Sequence, residues 1–118
     1  MAMKPAQVVK SLAALAQGTR LEVFRRLVEA GPQGLAAGTI ADGLRLPPAT
    51  ASFHLARLSQ SGLLKSRSEG RYVIYFVDEK RMSDVLAYLT ENCCGGAECA
   101  IAPRSASRRA RSSGPRAS

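Results

Sequence analysis

The chain lacks most of the features on which enzymes and membrane proteins depend. It has no tryptophan and only one histidine, His54, and its three cysteines all lie after position 92. A cysteine nucleophile with His54 as its base would have no paired carboxylate, phosphate loop or second base to complete a catalytic site. The longest apolar runs, residues 12–16 and 73–77, are far shorter than the roughly 20 residues that cross a bilayer. The sequence therefore predicts a cytoplasmic protein that is not an enzyme and has no membrane partner.

Positive charge is abundant but unevenly placed. The net charge is +8, yet five arginines and no acidic residue follow position 100, so the first hundred residues carry only +3. Net charge alone is therefore weak evidence for nucleic-acid binding. The tail is rich in Arg, Ser and Ala and has no apolar period, which predicts disorder over residues 101–118. Residues 1–100 are expected to form one domain, with a core small enough to favour a dimer.

The apolar period predicts five helices, with a β-hairpin between the fourth and the fifth. Helices are expected over residues 5–17, 19–30, 35–44, 48–60 and 79–92, and strands over residues 64–68 and 71–77. Thr19 and Glu22 have capping-box spacing at the start of the second helix, and Asp78 can cap the last. The expected apolar positions of the first two helices are Val8, Val9, Leu12, Leu15 and Ala16, then Leu21, Phe24, Leu27 and Val28.

This order of elements predicts an α+β, mainly helical fold: a winged helix-turn-helix with a two-stranded hairpin wing. In the fourth helix Ala51, Leu55 and Leu58 recur at helical spacing and are expected to face the core. The residues left outside, with the wing cations, are the candidate DNA contacts: Ala49, Thr50, Ser52, Phe53, Arg57, Lys65, Arg67 and Arg71. Local caps and solvated cations are the alternatives, and His54 is interpreted as a structural residue.

The cysteines form one cluster, C-C-x4-C, directly after the last predicted helix. Cys93, Cys94 and Cys99 could together bind a soft, thiophilic ion, because thiolates are its preferred ligands. Gly95-Gly96 supplies the flexible backbone that could bring the third thiol towards the adjacent pair. Incidental surface thiols, a disulfide formed on oxidation, and a cadmium or lead site remain alternatives.

Five segments in order resemble the ArsR/SmtB metalloregulatory repressors: residues 17–27, 39–44, 51–58, 61–64 and 69–75. The resemblance implies a homodimer formed through the first and last helices, a palindromic DNA operator, and repression relieved by an inducer ion. Two common family sites are missing, since residues 35–44 contain no cysteine and no histidine accompanies Asp84 on the last helix. The cluster looks like that of arsenic-responsive members whose thiols follow the last helix.

The thiol count favours one class of inducer. Trivalent arsenic and antimony form three pyramidal bonds and suit three sulfurs, whereas zinc normally takes four ligands. A monomethylated arsenic(III) species would need only two thiols. The sequence therefore predicts a repressor released by As(III) or Sb(III), with no permanent cofactor. A repressor that responds to thiol oxidation, cadmium, lead or zinc is the alternative.

Overall fold

A computed structural model describes residues 3–96. Within that range the helices are α1 (Pro5–Leu15), α2 (Gly18–Ala30), α3 (Ala37–Leu44), α4 (Pro48–Gln60) and α5 (Glu79–Thr90). The strands are β1 (Leu35–Ala36), β2 (Leu64–Glu69) and β3 (Tyr72–Val77). The described residues fall into two compact units that divide within α5, after Val85. The mainly helical winged helix-turn-helix predicted from the sequence is confirmed, and the predicted tail lies outside the described residues.

The sheet has one strand more than the predicted hairpin. Its order is β1-β3-β2, with both pairs antiparallel, and Leu35 and Ala36 pair with Tyr75 and Ile74 of β3. Starting the third helix at Leu35 was therefore wrong, because these two residues are extended. Gly34 permits this pairing: its φ is +67°, and a Cβ there would collide with the carbonyl oxygen of Tyr75.

The start of α2 also differs from its prediction. The helix begins at Gly18, and the side chain of Gln17 accepts a hydrogen bond of 2.8 Å from the backbone N–H of Arg20. Gln17 was expected to end α1, which instead stops at Leu15. Because Gln17 caps the helix, Thr19 lies inside its first turn and the expected capping box with Glu22 does not form.

One core connects α1, α2, α3, α4 and the sheet. Its buried members are Ala14, Val23, Phe24, Leu27, Ile40, Leu55, Leu58, Leu63 and Leu64. Two predicted buried residues of α2, Leu21 and Val28, are 45% and 40% exposed. In α1 the buried face is Val8, Ser11 and Ala14, which leaves Val9 and Leu12 exposed. The apolar period predicted both helices, and of the four residues expected to be buried in α2, Phe24 and Leu27 are buried.

The start of α5 agrees with its prediction. The carboxylate of Asp78 accepts a hydrogen bond of 3.1 Å from the backbone N–H of Arg81, which makes Asp78 the cap. The helix ends at Thr90, two residues before the predicted end. On its second half Leu86 and Leu89 are 45% and 54% exposed.

Candidate nucleic-acid interface

The turn between α3 and α4 is fixed by its own backbone. Leu46 and Arg45 donate backbone hydrogen bonds of 2.8 and 3.2 Å to the carbonyls of Ala41 and Asp42. A pair of backbone hydrogen bonds of this kind ends a helix when the residue after the helix has a left-handed conformation. Glycine usually occupies that position. Here Arg45 takes it, with φ of +57°. An exposed arginine thus stands in the turn of the helix-turn-helix, a cation that sequence reasoning missed.

The next helix, α4, has the rotation predicted for a recognition helix. Pro48 occupies its first position, where a missing N–H costs no hydrogen bond. Ala51, Leu55 and Leu58 are at most 1% exposed. The opposite side presents exposed Ala49, Ser52, Phe53, Ala56 and Arg57, with Thr50 partly buried. A helix with one apolar side and an outer side of small, hydroxyl and basic groups can enter a major groove.

Phe53 is an exposed aromatic residue that contacts both His54 and Arg57. Its ring is 55% exposed and lies edge-on to the ring of His54, with centroids 5.7 Å apart. The guanidinium carbon of Arg57 lies 5.6 Å from the Phe53 ring centroid, within cation–π range. Two predicted DNA contacts, Phe53 and Arg57, are therefore in cation–π contact with each other.

The wing arginine Arg67 is engaged within the protein. It donates to the carboxylate of Glu69 at 2.7 Å and to the carbonyl oxygens of Pro32 and Gln33 at 3.3 and 2.8 Å. Its guanidinium also lies 5.4 Å from the Phe76 ring centroid. With these donors used, Arg67 fastens the wing to the segment between α2 and β1. These bonds give Arg67 a structural role, and its contact with DNA stays a prediction.

The other two predicted wing cations are more available. The Lys65 ammonium is 4.0 Å from the carboxylate of Asp78, and that lysine side chain is 61% exposed. Arg71 is exposed at the hairpin tip, and no ion pair involves it in the part of the chain that the structure describes. Gly70 precedes it with φ of +62°, as a tight two-residue hairpin turn requires. Arg71 is therefore the wing cation best placed to meet a phosphate.

His54 is held inside the helix-turn-helix. It is 7% exposed, and its Nδ1 lies 3.5 Å from a guanidinium nitrogen of Arg20. Arg20 also donates a hydrogen bond of 2.6 Å to the carbonyl of Ala14. Burial, and to a smaller extent the Arg20 charge, lower the pKa of His54 below its usual 6.5. This neutral, buried ring fits the predicted structural role.

The structure brings two of the three predicted thiols into one turn. Cys93, half-buried, and Cys94, exposed, lie in a short 3₁₀ turn, Cys93–Gly96, just beyond α5. Asn92, Cys94 and Gly95 have φ of +58°, +57° and +67°, so the backbone turns sharply here. Cys99 lies outside the described residues. Between residues 3 and 96 no three His, Cys, Asp or Glu side chains converge as metal ligands would, so the three-thiol site stays a prediction.

A partly buried hydrogen-bond network joins the middle of α1, the residue after α4 and the first turn of α5. Ser11 of α1 donates to the carbonyl of Ser61, which directly follows α4, at 3.1 Å. Arg81 of α5 donates to the same carbonyl at 3.4 Å and to the Ser11 hydroxyl at 3.5 Å. Gly62 leaves the room, because a Cβ there would lie 2.5 Å from the Arg81 guanidinium carbon. That glycine was the only sequence signal of this network, and the prediction read it simply as a helix stop.

No helix among residues 3–96 is long and apolar enough to cross a membrane.

The family model "Helix-turn-helix domain" matches residues 15–67. An uncharacterized HTH-type transcriptional regulator of Methanocaldococcus jannaschii is 31% identical over 75% of this chain and 93% of its own length.

Solved structures agree with the sequence matches. An ArsR family transcriptional regulator is 25% identical, with a TM-score of 0.65 over 78% of this chain and 92% of that one. The homodimeric winged helix-turn-helix DNA-binding domain of a possible ArsR-family regulator from Mycobacterium bovis is also 25% identical. Its TM-score is 0.59, over 80% of this chain and 87% of that one. The chain therefore belongs to the helix-turn-helix transcriptional regulators of the ArsR-like winged type.

Proposed function

We propose that this chain is a repressor that binds operator DNA as a homodimer and is released when trivalent arsenic or antimony binds Cys93, Cys94 and Cys99. The observation that carries the proposal is the position of the cysteine turn. It follows α5, whose first turn is hydrogen-bonded through Arg81 to the carbonyl of Ser61, at the end of α4. A thiol site here thus adjoins a helix that is itself tied to the DNA-reading helix.

The DNA face consists of the first half of α4 and the tip of the wing. Thr50 and Ser52 offer hydroxyls, and Phe53 offers an apolar surface that fits a thymine methyl or a sugar. Arg71, and more weakly Lys65, supply charge for the phosphate backbone. The two elements would read one half-site of a palindrome.

Homodimerisation is supported by apolar side chains that a single chain leaves exposed. On α1, Val9 and Leu12 are 63% and 38% exposed, and on α5 Leu86 and Leu89 are 45% and 54% exposed. The Mycobacterium bovis relative is described as homodimeric. A second copy that covers these side chains would remove apolar surface from water, which stabilises association.

The donor set fits the proposed inducer. Cys93 and Cys94 are adjacent, and soft thiolate sulfur is the ligand that trivalent arsenic and antimony prefer. When bound, such an ion supplies up to three bonds to sulfur, and Cys99 is the remaining thiol of the sequence. A zinc site would normally need a fourth ligand in addition to the three thiols.

Arg81 gives the switch a physical route. Its three hydrogen bonds tie the first turn of α5 to Asp78, Ser11 and Ser61. A change in the packing of α5 would alter this network. The C-terminal end of α4 would then shift in space. A coupling free energy of about 1 to 3 kcal/mol, usual for allosteric proteins, would weaken operator binding roughly 5- to 150-fold.

The test is fluorescence anisotropy of the reduced protein on DNA from its own promoter, titrated with arsenite, methylarsenite, antimonite, cadmium and zinc. We expect arsenite or antimonite to release the DNA, and Cys94→Ser to bind DNA normally without being released. A Cys94→Ser protein still released by arsenite would remove the three-thiol assignment.

A redox regulator is the second candidate, because Cys94 is exposed and adjacent to another thiol. Under this alternative peroxide would release the DNA, dithiothreitol would restore binding, and arsenite would have no effect. The same anisotropy titration therefore separates the two candidates.

A further inference from the structure

A pocket of about 200 Å³ lies where α1, α2 and α4 meet. It is lined mainly by Lys10, Ala13 and Ala14 of α1, Arg20 of α2, and Arg57 and Gln60 of α4. Two of the lining residues, Arg57 and Gln60, belong to the recognition helix.

Three cationic residues are among those that line this pocket. Lys10, Arg20 and Arg57 line it, and no acidic side chain does. The salt bridges found within residues 3–96 involve none of the three. Like charges that share a concave, partly apolar site repel one another and raise the local positive potential. An anion placed there would gain from all three.

Two of the cations are already oriented. Arg20 is held by the carbonyl of Ala14 at 2.6 Å, and the neighbouring His54 ring is neutral and offers it no negative charge. Arg57 is held over the ring of Phe53 at 5.6 Å. Ordered guanidinium groups lose less conformational freedom when they bind an oxyanion, so the site is partly preorganised.

The size and chemistry of the pocket indicate the ligand class. Its volume is below the roughly 300 Å³ at which pockets for drug-sized molecules begin. The planar fork of arginine matches the oxygens of phosphate, and lysine adds a point charge. We infer that this pocket binds a phosphate group, held by Lys10, Arg20 and Arg57, and that its occupancy affects the DNA-reading helix through Arg57. The second half of this inference rests on the proposed DNA-binding function.

The phosphate could come from two sources. It could belong to a small free molecule that acts as an effector, or it could be a phosphodiester of the operator itself. Both use the same chemistry, and they differ in whether the protein binds the anion in the absence of DNA.

The first experiment uses the full chain without DNA. Inorganic pyrophosphate is titrated into ¹⁵N-labelled protein in a phosphate-free buffer, and the amide shifts of Ala13 and Gln60 are followed. These two residues line the pocket, so their amide shifts report on binding there. We expect saturable shifts, with affinity reduced about tenfold in both Lys10→Gln and Arg57→Gln, because each removes a charge-assisted hydrogen bond.

Lys80→Gln is the matched control, since it removes the same charge from an exposed site on α5, paired with Asp84. It should leave the pyrophosphate affinity unchanged. Equal weakening in all three variants would show only general electrostatic attraction and would overturn a free-phosphate site.

The second experiment identifies the source. Operator affinity is measured by anisotropy at several salt concentrations, for the unmodified protein and for Lys10→Gln. A free effector predicts that pyrophosphate shifts the operator affinity of the unmodified protein but not that of the variant. An operator phosphodiester predicts that the variant binds the operator more weakly, with a salt slope smaller by about one.

A Lys10→Gln protein that matches the unmodified protein in both experiments would refute the pocket assignment. Because the first experiment contains no DNA, a failure of the proposed repressor function would leave its result intact.

Discussion

Arg67 and Arg71 stand on the same hairpin, but only Arg67 has hydrogen bonds described within the protein. Arg67 spends its donors on Glu69 and on the carbonyls of Pro32 and Gln33, whereas Arg71 stands exposed at the tip. At the scale of single residues, the function of a cation here depends on which acceptors surround it.

Replacing these two arginines should separate stability from DNA binding. Arg67→Gln should lower the free energy of unfolding by about 1 kcal/mol, because two backbone carbonyls lose a charged donor. Arg71→Gln should leave stability within about 0.5 kcal/mol and reduce the salt slope of operator binding by about one. Urea denaturation and salt-dependent anisotropy measure the two effects. Equal loss of stability in both variants would contradict the assigned roles.

The buried His54 predicts how the stability of the protein depends on pH. Because burial lowers its pKa in the fold, the unfolded chain binds a proton at mildly acidic pH that the folded chain does not. The contribution of His54 to stability is therefore complete above its ordinary pKa of 6.5 and decreases as the pH falls below that value. Urea denaturation between about pH 7.5 and 5.5 should show this decrease, and His54→Gln should flatten it. Parallel curves for the two proteins would rule out His54 as the cause.

At the scale of elements, the turn between α3 and α4 carries backbone strain beside the DNA-reading helix. Arg45 adopts a left-handed conformation that costs a side-chain-bearing residue about 1 kcal/mol or more relative to glycine. The strained residue also carries an exposed guanidinium, and backbone strain of this kind is often found at functional sites.

Arg45→Gly should therefore stabilise the fold by about 1 kcal/mol while weakening operator binding. Arg45→Ala is the control, since it removes the charge and keeps the strain. In thermal unfolding, Arg45→Gly should have a higher melting temperature than both the unmodified protein and Arg45→Ala. Anisotropy should show weaker DNA binding in both variants. Full operator affinity in Arg45→Ala would mean that the guanidinium does not contact DNA.

At the scale of the whole molecule, the exposed apolar residues of α1 and α5 predict how the chain assembles. Leu12→Glu and Leu86→Glu each place a charge on a face that dimerisation would bury, so each should shift sedimentation towards the monomer and reduce operator binding. Leu21→Glu is the matched control, because Leu21 is equally apolar, is 45% exposed and lies on α2, outside the proposed interface. Dissociation in all three variants would indicate a different interface.

The fold was predictable where local signals decide it. Helical period, the proline pair at the start of α4 and the Gly70 turn are local signals, and they predicted the helices, the hairpin and the inward residues of α4. The two-residue strand β1 depends on pairing with distant β3, and the carbonyl acceptors of Arg67 lie more than thirty residues away in sequence. Neither leaves a local pattern. The thiol cluster and the DNA contacts remain predictions from residue chemistry.

Strand β1 also has a mechanical consequence. It pairs Ala36, the residue directly before α3, with the same β3 that forms the wing. Arg67 adds a second link between the wing and the backbone before α3. Strand pairing and hydrogen bonds thus connect the helix-turn-helix to the wing, which favours their moving together. The recognition helix and the wing should therefore dissociate from a DNA half-site in one kinetic step. A long-lived intermediate bound through the wing alone is not expected.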